Sequence, residues 1–317
     1  MSMKVFRGLL LAVATLLAGC QTVLMSPSGD LAVQQRNLII TSTVLMLLII
    51  VPVIALTLLF AWHFRASNKK ATYDPDWDHS TILELLIWSA PLLIIIALGA
   101  ITWVSTHKLD PYRPLDRLAA GRPVPAEARP LTVNVVALDW KWLFIYPEQG
   151  IATVNELAAP VDRPISFNIT ASTVMNSFFI PALAGQIYAM PGMQTTLQAV
   201  INRPGEFEGF SANYSGHGFS GMHFIFHGMS EDGFAQWVEK AKASGGDLSR
   251  DAYVKLAEPS ENEPPRYYAT VAPGLYQAIL TQCLQPDSPS CMRHTRSKNG
   301  GEATGMAGMS MPPSTPH

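Results

Sequence analysis

The stretch "EFEGFSANYSGHGFSGMHFIF", residues 206–226, has the rhythm of a metal-binding loop: turn glycines, small polar residues, and a Gly-Met pair leading into an aromatic run. It contains no cysteine, so it offers no thiolate to a soft metal. His217, His223 and His227 do not make a replacement set. If "MHFIFH" is a strand, Met222, Phe224 and Phe226 share one face, and His223, Ile225 and His227 share the other. At roughly 3.3 Å per residue the latter two histidines stand about 13 Å apart, too far for one ion. They are expected to face solvent.

The elements that must position this loop follow from composition. The chain has 317 residues, 48% of them hydrophobic and only 15% charged, and this apolar content lies in blocks that belong in a membrane. A formal net charge of -2 gives no basic excess for nucleic acid. Lys4 and Arg7, the apolar "GLLLAVATLL" and then "LAGC" read as an export signal over 1–19, closing in a lipobox whose Cys20 would carry a lipid. A lipidated outer segment, 20–36, would follow.

Two charge-free runs come next, centred on 37–62 and 84–107. At about 1.5 Å per residue each spans a roughly 30 Å hydrocarbon core. Basic residues lie on both flanks of the second run, so the positive-inside count does not orient the pair. An outer Cys20 does: it places the loop 63–83 in the cytoplasm and everything after Lys108 outside. Glu84 opens the second run. Thr81-x-x-Glu84 is a capping-box pattern, which gives the carboxylate a helix-start role.

Beyond a Pro- and Arg-containing linker, 108–130, short β-like runs separated by turn signals occupy 131–229 and suggest a β-sandwich or Greek-key barrel. Trp140 and Trp142 in one such run are expected to pack. Ser230 can cap a helix whose Phe234, Trp237, Val238 and Ala241 share a face. Small helical pieces around "DAYVKLA" and "PGLYQAILTQC" complete a helical region, 230–285. The tail, 286–317, is rich in Gly, Ser, Pro and Met and is expected to be disordered. Its Met306, Met309, Met311 and His317 could hold copper loosely, although a disordered end is the plainer account. With Cys20 lipidated, Cys283 and Cys291 remain as an even pair in an oxidising compartment. They are expected to form a disulfide if their sulfurs meet in the required geometry, and to be free thiols otherwise. There is no Cys-x-x-Cys-His for attached haem.

The lipobox, the two apolar runs, "DWKWLFIYPEQGIATVNELAAP", "NSFFIPALAGQIYAMPGMQT" and "SANYSGHGFSGM" together resemble subunit II of the haem-copper oxidases, in the quinol-oxidising, cytochrome bo-type branch. Copper-bearing members of that superfamily present a histidine on one loop and Cys-x3-Cys-x3-His-x2-Met on another. The matching frame here is Asn176, then Ser211, Ser215, Phe219 and Met222, with Asn213 at a further former ligand position inside the loop. Hydroxyls do not replace bridging thiolates, and phenylalanine has no lone pair to give.

The resemblance implies a membrane-anchored chain, a two-helix transmembrane hairpin followed by an all-β cupredoxin-like sandwich with a small helical C-terminal extension. It implies a scaffolding subunit of a proton-pumping ubiquinol oxidase in the bacterial inner membrane, with its large domain in the periplasm. No cofactor is expected in this chain; haem b, haem o and copper would sit in a large subunit I, alongside a subunit III and a small subunit IV, with ubiquinol and oxygen as substrates of the complex. It also implies a second role for Glu84, at the cytoplasmic entrance of a proton route. The competing reading is an independent periplasmic copper-handling or oxidase-assembly lipoprotein using the tail methionines.

Overall fold

The structure is a computed structural model that describes residues 22–72, 75–284 and 291. Cys20, the export signal and the Met-rich tail beyond Cys291 lie outside the described residues. Two long helices come first, α1 (Asp30–His63) and α2 (Thr81–Lys108), both long and apolar enough to cross a membrane. Helix α1 starts ahead of the charge-free run because Asp30, Gln34 and Arg36, polar but good enough helix formers, extend it above the apolar stretch. Pro52 and Pro91 lie inside the two helices without ending them.

A short hairpin, β1 (Arg117–Ala119) and β2 (Arg122–Pro123), leads into a sandwich. Its strands are β3 (Leu131–Leu138), β4 (Lys141–Tyr146), β5 (Ile151–Val154), β6 (Glu156–Pro160), β7 (Ile165–Ala171), β8 (Asn176–Phe179), β9 (Ile187–Ala189), β10 (Thr195–Ala199), β11 (Gly205–Ser211) and β12 (His223–Met229). The C-terminal region adds α3 (Glu231–Ala243), β13 (Asp247–Leu248), α4 (Arg250–Leu256), β14 (Arg266–Tyr268), β15 (Thr270–Val271) and α5 (Leu275–Leu280). One sheet is six-stranded, in the order β10-β7-β3-β4-β5-β14, and faces a five-stranded sheet, β6-β12-β11-β8-β9.

The central strands of the six-stranded sheet, β3 and β4, are buried on both faces, which is why "LTVNVVAL" and "KWLFIY" read as nearly continuous apolar runs. Alternation sends Val133, Val135, Trp142, Phe144 and Tyr146 into the core between the sheets, where Phe178 and Phe224 stack at 5.4 Å. It sends Val136, Leu138, Leu143 and Ile145 to the opposite face, covered by Tyr253, Leu256, Leu275 and Ile279 of the C-terminal region. Helix α3 starts as its sequence dictates: the Ser230 hydroxyl accepts from the Gly233 N–H, and Phe234, Trp237, Val238 and Ala241 are the residues it buries.

Strands β5 and β6 do not stand out in the sequence because Ala and Thr dilute their apolar character. Asn155 between them adopts a left-handed conformation, φ 55°, and hands the chain from one sheet to the other. Its side chain accepts the Trp142 N–H at 2.8 Å and donates to the Glu263 carbonyl at 2.8 Å, tying strand β4 to the C-terminal region.

The membrane hairpin is locked to the sandwich at its outer end. Arg117 Nε donates to the buried Asp30 carboxylate at 2.9 Å, and Gln34 donates to the same oxygen at 2.8 Å. Ser28 and Gly29 both donate backbone N–H to the Ala182 carbonyl. A Cβ on Gly29 would lie 2.5 Å from the Leu183 carbonyl oxygen and 2.7 Å from that of Val200, backbone atoms that cannot step aside. Gly29→Ala is therefore expected to cost about 1–3 kcal/mol of overpacking. It should open the joint between hairpin and sandwich to limited proteolysis while leaving the sandwich's own resistance intact.

Candidate functional site: a loop that keeps its shape without its donors

The residues at the former ligand positions come from three elements at one end of the sandwich. Asn176 begins β8, Ser211 ends β11, and Met222 directly precedes β12. Asn176, Ser211 and Met222 are all buried. The Ser211 hydroxyl donates to Asn176 Oδ1 at 3.0 Å; the Asn213 carbonyl, at 3.3 Å, is its longer alternative. Asn176 Nδ2 donates onward to the Val174 carbonyl at 3.2 Å. Two former ligand positions thus bond to each other, where metal-bearing chains would bring both onto an ion.

Backbone contacts hold the loop in place. Ser211 N–H donates to the Met222 carbonyl at 3.2 Å, and Ala212 N–H to the Ser177 carbonyl at 2.9 Å. The Trp140 indole N–H donates to the Ser215 carbonyl at 3.0 Å, and a single 3-10 turn, His217–Gly221, carries the chain back to Met222. Phe219 packs against Tyr214, with ring centroids 5.6 Å apart. The Met222 side chain lies in the core beneath. The donor set is therefore one thioether, two hydroxyls and two amides, and it does not fit a dinuclear copper centre.

The three histidines do not converge. His217 is exposed and pairs with Glu261, whose hydrogen bond raises its pKa above the usual histidine value. His223 is exposed and meets Glu208 at 2.7 Å. His227 departs from the fully solvent-facing expectation: its side chain is 23% exposed, 3.7 Å from Glu156 on β6 and 3.6 Å from Glu206 on β11, the strands that flank it on either side. Glu156 there accepts from Trp237 Nε1 at 2.7 Å and from the Tyr267 hydroxyl at 2.6 Å. Among the described residues, no group of three or more His, Cys, Asp or Glu is arranged to hold a metal.

Trp142 is fully buried, and Trp140 is half-buried against Gly216 and Gly218. Between them Lys141, which strand periodicity alone does not mark as special, is buried to 1% exposure. Its ammonium donates to the Glu258 carbonyl at 2.7 Å and to the Ser260 hydroxyl, and burial lowers its pKa. It anchors the loop 258–263 beside the former metal loop, where Glu261 reaches His217.

Glu84 is the clearest departure from the sequence pattern. Thr81 is the first helical residue and Ser80 the N-cap, so Glu84 lies one position too far along for a capping box. Its backbone N–H donates to the Ser80 carbonyl at 2.9 Å, while its exposed carboxylate makes no capping bond. Cys283 and Cys291 come together, with Cα atoms 4.4 Å apart and sulfurs in contact.

A β-sandwich of this topology on a helical hairpin, with an emptied metal loop, defines the subunit-II class of respiratory oxidases. Residues 143–229 match the family described as "Cytochrome C oxidase subunit II, periplasmic domain", and residues 242–287 match the "COX Aromatic Rich Motif". The chain is 55% identical over 272 residues to the cytochrome bo(3) ubiquinol oxidase subunit 2 of Pseudomonas aeruginosa, covering 86% of this chain and 80% of that one. It is 53% identical to the ubiquinol oxidase subunit 2 of Acetobacter aceti, covering 86% of each. Against the quinol oxidase subunit 2 of Bacillus subtilis it is 34% identical, covering 82% of this chain and 79% of the relative. The chain belongs to the quinol oxidase subunit 2 family.

Because backbone bonds hold the loop, the ligand set should be restorable. The variant Asn176→His, Ser211→Cys, Ser215→Cys, Phe219→His is expected to take up copper and develop thiolate-to-copper absorption in the visible, while the parent stays colourless under the same loading. A colourless quadruple variant would mean that the backbone has drifted from ligand geometry.

Proposed function

We propose that this chain is the scaffolding subunit of a ubiquinol oxidase and passes no electrons itself. The observation that carries this is the Ser211–Asn176 bond, neutral donors satisfying each other where a relay metal would need sulfur and imidazole. A soluble one-electron carrier would need such a relay, whereas a quinol within the membrane can reduce haem in the large subunit directly. The expected partners are that haem-bearing subunit I, with haem b, haem o and copper, and further subunits III and IV. The expected setting is the bacterial inner membrane, with the sandwich in the periplasm and Cys20 lipidated. No observation favours the independent copper-handling reading. Affinity purification from detergent extract tests both: haem absorbance, large subunits and quinol-dependent oxygen uptake should travel with the chain. A lone, copper-containing protein would replace this reading with the other.

Two features carry further parts of the proposal. The Cys283–Cys291 contact supports a structural disulfide in an oxidising compartment, and two free thiols by mass spectrometry without reductant would reject it. Glu84, left without a capping bond at the start of α2, supports a proton-collecting role at the cytoplasmic boundary. Glu84→Gln keeps shape and polarity but carries no proton. The variant complex is expected to assemble with normal haem content and turn over quinol several-fold more slowly. Unchanged turnover in an assembled complex would remove Glu84 from the proton route.

A further inference from the structure

We propose that the end of the hairpin nearest the sandwich holds the headgroup of one ethanolamine phospholipid, Lys108 taking its phosphate and Asp110 its ammonium. Where α2 ends, a cavity of about 150 Å³ is enclosed by the starts of α1 and β1 and the chain between Lys108 and Arg117. Six charged side chains line it, and four of them neutralise one another: Arg117 Nε meets Asp30 at 2.9 Å and Arg113 meets Asp116 at 3.2 Å. Lys108 and Asp110 remain. Both are exposed; among the described residues the Lys108 ammonium has no partner, and the Asp110 carboxylate accepts only the Tyr112 N–H, at 3.0 Å, with no cation against it. One unmatched cation and one unmatched anion in the same small space are the complement of a zwitterion.

A second cavity, of about 270 Å³, shares Gln34 and Lys108 with the first and runs down the helix pair. Asn37, Thr41 and Ser105 line it among Leu38 and Ile101, so donors sit one level deeper than the charges. That order, charged groups above and amide and hydroxyl donors below, matches a phospholipid with its ester carbonyls beneath its phosphate. Of the ethanolamine, choline and glycerol headgroups, chemistry selects ethanolamine. A choline headgroup has no N–H to donate to Asp110, and a glycerol headgroup has no cation to neutralise it.

The inference rests on the hairpin spanning a membrane. It is tested in the detergent-solubilised, haem-containing complex with a photoreactive phosphatidylethanolamine, adducts being mapped by peptide mass spectrometry. Adducts are expected within residues 101–117. Unlabelled phosphatidylethanolamine should suppress them several-fold more effectively than phosphatidylcholine or phosphatidylglycerol. Lys108→Gln and Asp110→Asn should each lower labelling several-fold with haem content unchanged. Equal competition by the three lipids, or no adduct because a partner helix fills the cavity, would overturn the lipid site. Should either variant fail to assemble, the competition in the unaltered complex decides alone. Loss of lipid selectivity with haem still co-purifying rejects this site only; a chain that purifies without haem rejects the subunit assignment instead.

Discussion

The central strands β3 and β4 have to be covered on both faces, and much of the remaining structure follows from that constraint. Strands β3 and β4 alternate apolar side chains to each side. The five-stranded sheet can shield only one side. The other is closed by α4 and α5, through Tyr253, Leu256, Leu275 and Ile279. Each fully buried large apolar side chain contributes about 1.5–3 kcal/mol, so the C-terminal region is part of the folding unit, not an appendage. Its loops then stay where the covering places them: Asn155 and the buried Lys141 fasten residues 258–263 beside the former metal loop.

The loop from Ser211 to Met222 is held by contacts of its own. In a site held together by its ion, losing the ligands would release the chain. Here the Ser211 N–H to Met222 carbonyl bond, the Ala212 to Ser177 bond and the Trp140 indole fix the loop through backbone atoms, indifferent to the side chains at the ligand positions. The polar side chains at these positions satisfy one another in part. Ser211 and Asn176 do so directly, as buried polar groups must if the core is not to be penalised.

Much of this was legible in the residues. The two apolar runs, the strand rhythm of "LTVNVVAL" and "KWLFIY", and the Ser230 cap with its Phe234-Trp237-Val238-Ala241 face all depend on local periodicity, which a sequence displays. The spacing from Ser211 to Met222 carried the resemblance to a copper-ligand frame. What stayed hidden depends on contacts between distant segments. Lys141 reads as an ordinary charged strand residue until the loop from Glu258 to Ser260 is seen to bury it. Asn155 reads as a turn residue, yet joins both sheets to the C-terminal region. His227 reads as solvent-facing because the strands beside it, carrying Glu156 and Glu206, come from distant parts of the sequence. The Thr81-x-x-Glu84 pattern failed for a local reason: the helix begins one residue earlier than that capping box requires, with Ser80 as its cap.

In the proposed function, electrons reach oxygen without passing through this chain. Electron paramagnetic resonance of the oxidised, purified complex tests it most directly, with quinol oxidase activity measured on the same sample. A fully active enzyme without a mixed-valence dinuclear copper signal is the predicted result. An active complex that shows such a signal, and loses signal and activity together when Met222 is replaced, would contradict it.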